Sequence, residues 1–133
     1  MAFLRLLSKL RKNEKGQSLV EFALVLPILL LLVLGMLEYG WMLNAKISVT
    51  GAAREGARAS SVVGKANSSQ AYAKAFAAAN AYMGVGTLAP GDVTVSVSAD
   101  NVKVTIKYDK EPLVGLYIKD DMLITSSVTM RME

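Results

Sequence analysis

From Phe22 to Leu37 the chain runs for 16 residues without a charge, mostly Leu and Val. Counted from Leu19, the run is 19 residues interrupted only by Glu21. At about 1.5 Å rise per residue, a helix of that length reaches roughly 28 Å, close to the hydrocarbon thickness of a bilayer. The alternative is a buried core helix. No other segment of the 133 residues could surround a helix so apolar on every side. The reading is a transmembrane helix over 17–43, with a leader over 1–16 and an extracytoplasmic domain over 44–133.

The charge is distributed to match. The net charge is +4, and residues 1–16 carry all of it in Arg5, Lys9, Arg11, Lys12 and Lys15 against Glu14. The remainder holds ten basic and ten acidic side chains and is neutral. A basic cluster ahead of the span keeps the N-terminus cytoplasmic and sends the rest outside. Tyr39 and Trp41 then fall where the far headgroup region begins, as interfacial aromatics do. The charge lies in a leader and not on a folded surface that could track phosphates, so nucleic acid is not an expected partner. Phe3, Leu4, Leu6, Leu7 and Leu10 share one side of a helical leader, which can lie on the inner leaflet or remain solvated.

Chemistry is narrowed by absence. There is no His and no Cys, which removes the commonest general base, the thiol nucleophile and the usual zinc ligands. No Gly-rich loop matches a phosphate cradle. Asp120 and Asp121 adjoin, but a calcium site needs more oxygen ligands than that stretch offers. The expectation is no enzyme, no cofactor, no metal and no small-molecule substrate.

Gly16, Gln17 and Glu21 form the most informative group. A carboxylate inside an apolar helix costs roughly 2.5–3.5 kcal/mol at the bilayer centre and less near its edge, so Glu21 needs a partner or a headgroup to reach. Pro27 removes one helical N–H, freeing the carbonyl of Ala23, and predicts a kink. A basic leader ending in Gly16, with Glu21 five residues on at the front of an apolar helix, resembles the type IV prepilin processing site. The run GQSLVEFALVLPILLLLVLGMLEYG over 16–40, the segment AAREGAR over 52–58 and the ending SSVTMRME over 126–133 resemble the TadE-like proteins. That family comprises minor pilins or pseudopilins of tight-adherence, Flp-type pilus systems.

The resemblance implies cleavage after Gly16 by a membrane-embedded prepilin peptidase, leaving Gln17 as the new N-terminus. It further implies assembly through the N-terminal helix with other pilin subunits at an inner-membrane platform driven by a cytoplasmic ATPase. In such a filament Glu21 is expected to pair with the N-terminal amine of a neighbouring subunit. Gln17 stands where many type IV pilins carry Phe, a departure that bears on N-terminal methylation. Two other routes stay open on the residues alone. One is an uncleaved single-pass adaptor or binding module of a secretion system; the other is ordinary secretion with cleavage near Ala45 or Ala53.

Beyond the span the helical pattern continues to about Val63 and ends at Gly64. Ser48, Ala52, Gly56 and Ser60 recur every four residues as a strip of small side chains that admits close helix packing, against a filament neighbour or this chain's own sheet. Arg54 and Arg58 share a face, with Glu55 placed to pair with Arg58. Ser68 or Ser69 caps a second, Ala-rich helix running to about Met83, and breakers make 84–91 a loop. The period then becomes two. Val93, Val95 and Val97 form one strand, and Val102, Val104, Ile106 and Tyr108 a second, across a short hairpin link. A last strand over about 123–132 turns Val128, Met130 and Met132 to one face. The apolar stretch from Pro112 to Ile118 docks on a membrane or partner, or fills the core as a connection, the core being the preferred reading. The fold class is α+β and pilin-like: a long N-terminal transmembrane helix, a second Ala-rich helix and a small C-terminal antiparallel sheet of about three strands.

Overall fold

The structure, a computed structural model, describes residues 1, 2, 4, 5, 14–63 and 67–133. Most of the leader face, with the proposed helix end at Gly64, lies outside these residues. One helix, α1, runs from Glu14 to Ser61 over 48 residues, about 72 Å at the standard rise. A second helix, α2, covers Ser68–Tyr82. A 3₁₀ turn at Pro90–Asp92 leads into β1 (Val93–Val97), β2 (Asn101–Lys110) and β3 (Met122–Arg131). The architecture is α+β, with a long apolar N-terminal helix, a second helix and a three-stranded antiparallel sheet.

The chain divides into two compact units, Met1–Leu37 and Glu38–Glu133. In the first, the described large apolar side chains of α1 are exposed from Leu19 to Leu37 apart from a partly covered Leu26 and Leu34. The helix passes through Pro27 without interruption. A helix apolar on all sides and covered on none is suited by length and composition to anchor in a membrane.

The second unit has a conventional core. Ala45, Val49, Ala52, Ala53 and Ala57 of α1 are fully buried, and Ala71, Ala75 and Ala79 of α2 repeat every four residues on its buried face. Val102, Val104 and Ile106 supply the sheet's contribution, alternating with Lys103 and Lys107 outside. Small residues on both helices allow close approach. Cβ atoms built on Gly56 would sit 3.1 Å from the Ala75 carbonyl oxygen and 3.4 Å from Val104 Cγ1. Ser48 meets Met83 and Gly84, Gly51 faces Tyr82, and Gly56 faces Ala75, so α2 runs antiparallel to this part of α1.

The sheet is a meander in the order β1-β2-β3. Val95 pairs with Val104, and Val104 with Val128. The period-two pattern therefore places one apolar row across all three strands. Ser98 N donates to the Asn101 carbonyl at 2.8 Å, closing the β1–β2 hairpin.

Two expectations are corrected. The cap of α2 is Asn67, not Ser68 or Ser69: its side-chain oxygen accepts from Gln70 N at 3.4 Å. Asn is among the strongest N-cap residues, and capping from 67 brings both serines into the first turn. The second correction concerns 112–118, which does not fill the core. Leu113, Val114, Leu116 and Tyr117 are between 45% and 57% exposed. The side chains of α1, α2 and the inner sheet face already fill the space between the layers, and the β2–β3 connection has none left to occupy.

Candidate assembly interface

The residues of the proposed processing site occupy the first turns of α1. Gly16 and Gln17 lie within the helix, and Ser18 Oγ donates to the Glu14 carbonyl at 3.2 Å. Gln17 and Glu21 lie one turn apart and both are exposed. No side chain of the described residues is bonded to the Glu21 carboxylate in the contacts of this turn, and the apolar surface behind it is equally open. What the geometry offers is a carboxylate at the head of an uncovered apolar helix.

At the start of the compact unit the picture reverses. Glu38, the residue that ends the apolar run, is 2% exposed. Its Oε1 accepts from Gly115 N at 3.1 Å and its Oε2 from Tyr117 N at 3.4 Å. One carboxylate thus gathers two backbone donors 77 and 79 residues away. Gly115 has φ +69°, the left-handed region that side chains with a Cβ rarely adopt, and this conformation presents both amides to one acceptor.

Tyr39 and Trp41 are both exposed, Trp41 the less so, and Trp41 alone of the two has protein partners on its ring. The Trp41 indole N–H donates to the Glu111 carbonyl at 3.3 Å, and the Lys110 ammonium stands 4.2 Å from its ring centroid. Lys110 is itself buried and also donates to the Val85 carbonyl at 3.4 Å. This is a cation–π arrangement with a buried ammonium and a partly exposed ring. Further along α1, the Lys46 ammonium donates to the Thr125 carbonyl, and Ser126 Oγ donates to Thr50 Oγ1 at 3.3 Å. These tie β3 to the helix. An apolar groove of about 320 Å³ lies between Tyr39 and Leu43 of α1 and Met122 and Leu123 of β3.

The strip of small residues is internal. Ser48 Oγ accepts from Gly84 N at 3.2 Å, Ala52 and Gly56 are buried, and Ser60 Oγ donates back to the Gly56 carbonyl at 2.9 Å. Its neighbours are α2 and Val104 of this same chain. Arg58 pairs with Glu55 at 3.0 Å on the exposed side, and Arg54 is exposed beside them. Among the described residues no three carboxylates are placed to hold a metal.

Glu38 and Lys110 are the two residues the sequence reading did not single out. Glu38 carried the same signal as Glu21, a carboxylate bordering an apolar run. Lys110 carried none, since a lysine ending a strand is ordinarily a solvated one.

Residues 16–58 match the family model for TadE-like proteins. The match opens on Gly16 and closes on Arg58, covering 43 of 133 residues. No curated protein and no solved structure matches the chain significantly.

Proposed function

We propose that the chain is a minor pilin or pseudopilin subunit of a tight-adherence pilus and secretion system, cleaved after Gly16 by a prepilin peptidase and assembled through α1. The observation that carries this reading is the combination at the front of α1. The TadE-like match begins on Gly16, and from there to Leu37 the helix offers an apolar surface that the other described residues leave largely open.

Such a surface has two complements. Before assembly it is lipid, with the N-terminus in the cytoplasm of the inner membrane, as the leader's basic charge favours. After assembly it is the helices of other pilin subunits. Glu21 then serves at the exchange of one environment for the other. Cleavage creates an amine at Gln17, and Glu21 of one subunit neutralises the amine of its neighbour inside the helix bundle. An ion pair there also fixes register, the best-attested use of a buried pair.

The peptidase must reach a bond that lies in the first turn of a helix. Gly16 is two residues from the start of α1, where fraying is least costly, and glycine opens most readily into the extended form a protease cleft requires. Intact-mass measurement and N-terminal peptide mapping of the protein from its native membrane test the reading. A start at Gln17, lost when the peptidase is removed, supports it. A full-length protein leaves a permanent single-pass anchor and overturns it.

A further inference from the structure

We propose that residues 113–117 form a lip that inserts into the interfacial layer of the same bilayer that holds the apolar run of α1. This rests on the reading of that run as a membrane anchor and goes beyond it by assigning a second lipid contact to the compact unit.

Three observations converge. Leu113, Val114, Leu116 and Tyr117 place four large apolar side chains in five residues, all roughly half exposed, in a unit that buries Val102, Val104 and Ile106 of β2. A contiguous exposed apolar patch on a folded unit marks a contact surface. Next, the lip is fastened to a particular residue. Gly115 N and Tyr117 N are bonded to Glu38, the residue immediately after Leu37, so the loop is held beside the point in the sequence where the apolar run stops. Finally, the neighbouring exposed side chains are of the same kind. Tyr39, Leu43, Met122 and Leu123 are exposed, while the far hairpin at 98–101 carries Ser98, Asp100 and Asn101. Apolar bodies mixed with tyrosine are the composition that settles at headgroup level.

The occupant is lipid, not protein, because Glu38, which fastens the lip, follows directly on the apolar run in sequence, and the exposed side chains around the lip are the apolar and aromatic kinds that settle at headgroup level. Its flanks carry Lys119 with Asp120 and Asp121, so apolar burial and not charge drives the insertion. Anionic lipid is not required.

The test uses the full chain reconstituted in phosphatidylcholine vesicles. The protein has no cysteine, so single nitroxide labels can be placed by Leu30→Cys, Leu116→Cys and Ser98→Cys. Collision rates with dissolved oxygen and with a water-borne nickel chelate are then compared. The expected result is oxygen preference at 30 and 116 and chelate preference at 98. Chelate preference at 116 with oxygen preference at 30 overturns the lip while leaving the anchor standing. Shielding of 116 from both reagents, the sign of a protein contact, also overturns it. Chelate preference at 30 defeats the anchor itself and the lip with it. Because Leu116 is exposed, its replacement leaves the core untouched, and an unchanged circular dichroism spectrum checks this.

Discussion

The carboxylate of Glu38 accepts the backbone N–H of Gly115 at 3.1 Å, joining the end of an apolar helical run to a turn 77 residues later. The carboxylate is buried, and a second bond, from Tyr117 N, shares it. Removing one partner of a buried hydrogen bond costs about 1–3 kcal/mol. Glu38→Ala is therefore expected to lower the unfolding free energy of the compact unit by that amount. Amide exchange should quicken at Gly115 and Tyr117 before it does in the strands. Glu38→Gln, which keeps one acceptor oxygen, should fall between the two.

The glycines of α1 differ in what surrounds them, and substitution should separate them. A side chain at Gly56 meets the Ala75 carbonyl and Val104, both fixed, so Gly56→Leu should destabilise by about 1–3 kcal/mol through overpacking. At Gly51 the obstruction is the ring of Tyr82, which is half exposed and free to swing outward. Gly51→Ala should be close to neutral, since alanine gains roughly 0.8–1.0 kcal/mol of helix propensity over glycine. Thermal unfolding of the two variants side by side is the measurement.

Ile106 is the largest fully buried side chain and pairs across the sheet with Val93 and Ser126. Ile106→Ala should cost about 2–5 kcal/mol, read from a chemical denaturation midpoint with unchanged slope.

Trp41 is the protein's single tryptophan, so its emission reports on one place. Lys110→Met removes the ammonium above the ring while keeping the length of the side chain. The expected outcome is a changed Trp41 emission spectrum and a loss of about 0.5–2 kcal/mol, the range for a cation–π contact from exposed to desolvated settings. An unchanged spectrum would show that the ammonium does not sit on the ring in solution.

For assembly, Glu21→Ala is expected to abolish incorporation into filaments while leaving cleavage after Gly16 and the folding of 38–133 intact. Co-purification of tagged and untagged subunits from membranes checks the first point, and the N-terminal map checks the second. Undiminished co-purification would remove the role given to Glu21.

The membrane-type helix and the strands were legible in the sequence because each is written in a local period. Val102, Val104 and Ile106 alternate inward as their spacing predicts, and β2 and β3 fall within a residue or two of the expected bounds. The cap of α2 was missed by one position because Asn67, Ser68 and Ser69 are all competent caps, and only the backbone geometry decides among them. The loop over 112–118 was misjudged for a different reason. Composition reports that a segment is apolar, but whether the core has room for it depends on what α1 and α2 have already filled. Glu38 shows the deeper limit. Its partners lie more than 70 residues away and are backbone amides, which carry no residue identity for a sequence to display.

The meander order of the sheet also bears on how the unit comes into being. Each strand pairs only with the strand next to it in the chain. A polypeptide emerging N-terminus first can therefore zip β1 to β2 as soon as the hairpin is complete, then add β3, with no strand kept waiting for a distant mate. Pairing that follows the order of synthesis keeps contact order low within the sheet, and with it the time an open edge is available to the wrong partner. With no cysteine to oxidise, nothing in this sequence of events waits for an enzyme that forms disulfides.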